Sequence, residues 1–342
     1  MFRREVLPPL EIQRKPPRDR GSMKKGECDT MKKFLALILT LAMALSVTAC
    51  GGSDDTADDT ADGEGSGTEE TADYASMTDD ELKAAITTVE GGKLIVATSP
   101  DFAPYEFYAI GEDGQATLAG FEMSLAQYIA DYLGLELEVV PMDFDGTLME
   151  LQNKSVDLGM AGYSPKPERE NIMDFSDIFY TGGQSFVTTQ DKADLFASLE
   201  DTNKAEYSIG AQTGSIQVDL AQTNSPDAEL IQLPKVTDVI TDLLAGNLDG
   251  AYIETVVAET YAKNYPELNV LLDVPYEQEG SVVGVSKGNA ALLEGVNRAI
   301  AAVLEDGTMD EFITQANELA SGETYEGLLD ENGQVAETPA EG

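Results

Sequence analysis

Beyond Cys50 this 342-residue chain holds only two arginines, Arg169 and Arg298, and it has no histidine at all. The missing imidazole removes the commonest general base, the commonest metal ligand and any histidine-centred triad. Arg169 lies in Pro167-Glu168-Arg169-Glu170, after an apolar strand and a loop. A guanidinium fork so placed donates two parallel hydrogen bonds to a carboxylate. The plainer alternative is a surface salt bridge with Glu168 or Glu170. Arg298 falls inside a helical pattern and reads as exposed. Thr213-Gly214-Ser215 follows a strand and opens a helix, where free N–H groups and the helix terminus suit an anion. An ordinary cap serving only its own helix is the alternative there. The two cysteines, Cys28 and Cys50, lie outside the main globular region, so no disulfide can staple it. No run matches a calcium-binding EF-hand loop, and no metal or cofactor is expected.

The elements that must carry these residues follow from periodicity. Thr78 and Glu81 form a capping box ahead of a short helix reaching about Val89. Lys93–Thr98 is a buried strand, and Ser99–Tyr105 is a loop at its C-terminal end. Phe121, Leu125, Tyr128, Ile129 and Leu133 have helical spacing, with Gly134 as terminator. Strands at 135–140 and 156–160 bracket a helix beginning near Thr147. This β-α-β-α-β order places ligands beyond the carboxyl ends of the strands. A second unit starts near Gly182, with strands around 186–189, 207–211, 230–233, 251–253 and 270–272 and helices between them. A strand at 281–285 and helices at 290–305 and 309–320 close the chain.

Charge and apolar content separate an address from a fold. The chain carries 63 acidic against 21 basic residues. Ten of the basic and five of the acidic residues precede Cys50, leaving 11 basic against 58 acidic. Such a surface repels nucleic acid and anionic lipid. Lys32, Lys33, the apolar stretch Phe34–Leu45 and the small residues before Cys50 compose a secretory signal. Residues 1–30 read as an upstream extension, with Met31 the better start, so residues 1–49 are set aside. Residues 50–75 form an acidic tether without apolar residues enough for a core. The globular part then runs from a helix at 76–91 to about 321, and 322–342 is a frayed acidic tail.

With LIVATSPDFAPYEF, GFEMSLAQYIADYLGLELEVVPMDFDGTLMELQNKSVDLGMAG, YSPKPERENIMDFSDIFYTGGQ, IGAQTGS, LLAGNLDGAYIE and LLEGVNRAIAAVLEDGTMDEF in order, the chain resembles a known family. It is similar, over residues 92–321, to the solute-binding proteins of polar amino-acid ABC transporters, in their bacterial lipoprotein form. The resemblance implies an α/β, two-lobed type II clamp, each lobe a mixed, mostly parallel sheet flanked by helices. Lobe one would comprise 92–181 plus 277–321 and lobe two 182–276. It implies a monomer that captures a free amino acid, meets an ABC permease, and is held outside the cytoplasm by lipid on Cys50, with no enzymatic activity.

The same resemblance assigns roles. Arg169, helped by Ser164, Gly162 and the turn Thr213, Gly214 and Ser215, would hold the ligand carboxylate. Glu254 stands where the family usually has aspartate and would hold the ammonium; a surface acid is the alternative. Phe102 and Phe144 would sandwich the ligand side chain, with Ser99, Tyr105, Tyr163 and Gln184 completing its pocket. Relatives preferring basic ligands often carry an acid at the place of Ser99. Its absence argues for a neutral polar or sulfur-containing amino acid, while Asp101, Glu106 and the negative field argue for a basic one. A ligand sensor of the same fold and a cleft enzyme of dehydratase type are the rival readings.

Overall fold

The computed structural model describes residues 73–111, 114–277, 280–322 and 324–325. The expected signal, Cys28, Cys50, nearly all of the tether and the tail beyond 325 lie outside them. The strand Lys93–Thr98 is buried along its length after Lys93, as a continuous apolar run covered on both faces must be. It pairs in parallel with Glu136–Pro141 on one side and Leu158–Gly159 on the other. Gly284–Ser286 joins antiparallel to Leu158–Gly159, and Met173–Phe175 closes the edge antiparallel to it. A second five-stranded sheet repeats the arrangement, with Glu229–Leu233, Ser208–Gln212 and Gly250–Glu254 in parallel. Gln184–Thr189 runs against Gly250–Glu254, and Leu268–Asp273 runs against Gln184–Thr189. In each sheet one strand therefore opposes four, the mixed and mostly parallel sheet of a two-lobed clamp.

Helices cover the faces of each sheet. Phe121–Leu133 presents Phe121, Leu125, Ile129 and Leu133 inward and ends on Gly134 in the left-handed region at φ 73°. Ala290–Glu305 buries Leu292, Val296, Ala299, Ile300 and Val303. In the second lobe Val236–Leu244 buries Val236, Val239, Ile240 and Leu243, one face at helical spacing. The strand Gly284–Ser286 belongs to the first sheet although it follows the whole second lobe, so the chain crosses between lobes twice. The crossings pair with one another: Ser281 N donates to Tyr180 O at 2.7 Å and Phe179 N to Ser281 O at 3.0 Å. Tyr276 Oη donates across them to Gly182 O at 3.2 Å.

Three features depart from the periodicity. Ser99–Tyr105, expected as a loop, contains the strand Asp101–Phe102, which pairs with Glu106–Ile110 in a small antiparallel sheet with Ala116–Ala119. Two-residue strands bounded by prolines leave no alternation to detect. Thr324–Tyr325 adds to the other edge of Glu106–Ile110, so pairing continues into the segment expected to be frayed. The first helix has its capping box but ends at Ala85, short of Val89. The N–H of Val89 instead meets Asp157 Oδ1 at 2.8 Å, and Asp157 Oδ2 accepts from Ile95 N at 2.9 Å.

Arg298, expected to be exposed, is a clasp instead. It donates to Asp79 Oδ1 and Glu294 Oε1, both at 2.8 Å, and to the carbonyls of Tyr74 at 3.0 Å and Ala75 at 3.2 Å. Apart from Glu294, one helical turn away, the partners lie more than 200 residues off, which no local pattern reveals.

Candidate functional site

Between the lobes lies a narrow cavity, part of it open to solvent. Lobe one contributes Phe102, Tyr105, Gly162 and Ser164 to its walls. The crossings contribute Gly182, Tyr276, Gly280 and Ser281, and lobe two contributes Gln184, Gln217 and Glu254. Of the residues expected from the sequence, the structure thus gathers Phe102, Tyr105, Gly162, Ser164, Gln184 and Glu254 on one cavity.

Glu254 ends the strand Gly250–Glu254 and caps the helix Thr255–Asn264, its Oε2 accepting from Val257 N at 2.9 Å. The residue is 5% exposed, and its other oxygen, Oε1, is buried with no hydrogen-bond partner. Removing a carboxylate from water penalises its charge, and burial raises the Glu254 carboxyl to about 7. Oε1 thus lacks a well-formed hydrogen bond, though the Tyr105 hydroxyl and the Gly183 N–H stand near enough to the carboxyl to oppose the rise in its pKa. Such a group is costly unless a donor arrives, and an ammonium is the matching donor. The backbone makes room for it. A Cβ on Gly182 would stand 2.2 Å from Glu254 Oε1 and 3.2 Å from Tyr105 Oη.

Arg169 is 5% exposed and takes part in none of the ion pairs among the described residues, which removes the salt bridge with Glu168 or Glu170. Its guanidinium carbon lies 5.5 Å from the ring centre of Phe144 and 5.6 Å from that of Tyr163. Desolvation lowers its pKa from the usual arginine value. It donates to Gly214 O at 3.0 Å, across the cleft, and more weakly to Ser164 O at 3.4 Å. Phe144 and Tyr163 therefore brace the arginine rather than line the cavity, and Tyr163 Oη bonds Thr147 Oγ1. The arginine lies beside the cavity wall at Ser164, with backbone carbonyls where an anion would be its stronger partner.

The turn at 213–215 behaves differently from a free anion nest. Thr213 N donates to Leu233 O at 2.8 Å and Ser215 N to Gln212 O at 3.2 Å. Ser215 Oγ also donates to Gln212 O, at 2.7 Å. What the turn offers lobe one is the Gly214 carbonyl, taken by Arg169. Ser99 likewise lies off the cavity, donating to Asp101 Oδ1 at 2.7 Å.

Sequence reasoning missed Gln217, Tyr276 and Ser281. Gln217 Nε2 donates to Gln184 Oε1 at 2.8 Å, forming a buried amide pair at the cavity wall. A glutamine in the first turn of a helix carries no local signal for this. Glu106 and Glu122 are both fully buried behind the cavity, and Glu122 Oε1 accepts the Gly162 N–H at 3.1 Å. Burial and the neighbouring Glu122 push Glu106 well above the carboxylate range, and burial raises Glu122 to about 7. Glu106 does not line the cavity. Among the described residues no group of three or more acidic or sulfur side chains is gathered for a metal ion.

Two predictions follow from Glu254. In G182A the new methyl displaces the carboxylate, and affinity for the ligand should fall by about tenfold or more with the fold retained, read by calorimetry and far-UV circular dichroism. The second concerns pH. A folded-state value raised above the unfolded one gives a contribution complete in acid and lost as pH rises through about 7. E254Q is neutral throughout, so urea unfolding of the ligand-free protein at alkaline pH should show it more stable by roughly 1–3 kcal/mol, with the gain vanishing in acid.

Comparison with known proteins identifies the family. Residues 94–316 match the family model for bacterial extracellular solute-binding proteins, family 3. The chain is 30% identical over 285 residues to the arginine-binding extracellular protein ArtP of Bacillus subtilis, covering 82% of this chain and 96% of that one. It is 26% identical over 220 residues to the L-cystine-binding protein TcyJ of Escherichia coli, covering 64% and 80%. A solved structure of the substrate-binding protein AbpA of Streptococcus pneumoniae, bound to L-arginine, superposes with a TM-score of 0.65 at 32% identity, covering 71% of this chain and all of that one. The chain belongs to the bacterial extracellular solute-binding proteins of family 3, and is an extracytoplasmic substrate-binding component of an amino-acid ABC transport system.

Proposed function

We propose that the cargo is a free α-amino acid with a neutral polar or sulfur-containing side chain, captured without chemical change and handed to a permease. The observation that carries this reading is the buried, unpartnered Oε1 of Glu254 beside the cavity. An α-ammonium supplies its missing donor. The ligand carboxylate takes the place of the Gly214 carbonyl before Arg169, whose position between two rings leaves its charge without an acidic partner. Opposite charges from the two lobes then grip the two ends of a zwitterion. Ligand binding favours closure because only the closed form makes both contacts.

The rest of the cavity wall supports the side-chain assignment. Its polar side chains are the Gln184–Gln217 amide pair and the hydroxyls of Tyr105, Ser164, Tyr276 and Ser281. With Glu254 assigned to the ammonium, no other carboxylate among the described residues lines the wall to pair a cationic side chain. The likeness to the L-cystine-binding protein points the same way. Arginine is the second reading, favoured by the names of ArtP and AbpA. Lipid on Cys50 completes the reading, and its test is radiolabelled palmitate, expected on the full chain and lost in C50S.

Calorimetry with cystine, glutamine, histidine, lysine, arginine and glutamate decides the cargo. A neutral ligand should bind about a hundredfold more tightly than arginine, and R169A should lose about a hundredfold or more for any ligand. Arginine as the tightest ligand would remove the neutral reading and keep the clamp. If no α-amino acid binds, the clamp fails as well. Mass spectrometry of the recovered ligand should show it unaltered; a product would make the cleft an enzyme.

A further inference from the structure

Asp101 sits on lobe one, in the two-residue strand after Pro100, and is 6% exposed. Its polar atoms are directed at lobe two. Oδ2 accepts the backbone N–H of Val236 at 2.6 Å and Gln212 Nε2 at 3.3 Å. Its carbonyl accepts from Tyr261 Oη at 3.1 Å. Oδ1 is held from its own side by Ser99 Oγ. Val236 is the first residue of the helix Val236–Leu244, whose N-cap, Lys235, supplies no side-chain hydrogen bond. The first turn of that helix has orphan N–H groups and a favourable field for an anion. A carboxylate from the opposite lobe provides what the local sequence lacks.

We infer that Asp101 is an interlobe latch, whose carboxylate caps the helix Val236–Leu244 of lobe two and holds the cleft shut without touching the ligand. The residue is absent from the walls of the cavity beside Glu254, so it acts on closure and not on recognition. Ser99, which the family resemblance placed in the ligand pocket, orients the latch instead. A second interlobe contact, Lys166 with Asp219, stands apart from it on other elements. Contacts of this kind exist only when the lobes meet. They lower the energy of the closed form for every ligand alike, and for the empty protein too.

The latch predicts closure in the absence of ligand, while its effect on affinity rests on the capture reading above. Spin labels on M149C in lobe one and L195C in lobe two, with Cys28 and Cys50 replaced by serine, report the interlobe distance in the ligand-free full chain. The parent should show mainly the short distance. D101A should move most of the population to longer distances, and D101N, which keeps an oxygen facing Val236 N–H, should stay short. Q212A, which leaves lobe one intact, should open partially and serves if D101A does not fold. Every amino acid that binds should then bind D101A about tenfold more weakly through faster dissociation, with their ranking unchanged. Unchanged distances in D101A and Q212A, or a D101N as open as D101A, would overturn the latch. A reordered ranking would overturn it too, by making Asp101 a ligand contact. The distance measurement stands even if the cargo is not an amino acid.

Discussion

A carboxylate withdrawn from water with one oxygen unanswered is the constraint around which the cleft is organised. Glu254 satisfies its other oxygen by capping a helix, which holds the side chain in one pose. Its neighbour Gly182 has no side chain because any would occupy the space of Oε1. Tyr105, Tyr276 and Ser281 enclose the same space with hydroxyls. The fold thus maintains an unfavourable group at its centre, and a binding site is a reason for a protein to do so. Lobe one carries the electrostatic counterpart. Arg169 is buried against two aromatic faces and bonded only to carbonyls, a guanidinium kept charged but underused.

Both lobes reach across the cleft with groups belonging to helix or turn termini. Arg169 meets the carbonyl of Gly214, and Asp101 meets the N–H of Val236. These contacts flank the cavity and use backbone atoms, whose positions are set by the sheets behind them. The Asp101 contact does not depend on which cargo sits inside, whereas the Gly214 carbonyl stands where a ligand carboxylate would meet Arg169. Discrimination then falls to the few side chains on the wall, chiefly the Gln184–Gln217 pair and Tyr276.

Much of this was legible in the residues themselves. The order of apolar runs and amphipathic segments marked nearly every strand and helix of the two sheets, and the capping box at Thr78 announced its helix. Arg169 stood out because arginine is so scarce after Cys50, and Glu254 because it ends a strand. What stayed hidden depends on residues distant in the chain. The partners of Asp101 come from three places in lobe two more than 100 residues away. Gln217 gains meaning only from Gln184 across the fold. Phe144 and Tyr163 have pocket-like chemistry, yet their faces are taken by the arginine between them. Residue type identified the ends of the clamp, and tertiary packing decided which neighbours serve the cargo and which serve the clamp.

The clasp at Arg298 has a mechanical consequence. It ties Tyr74, Ala75 and Asp79 to the long helix Ala290–Glu305, which belongs to lobe one. The chain therefore enters the clamp through lobe one, and lobe two is reached only by way of the crossings near Gly182 and Tyr276.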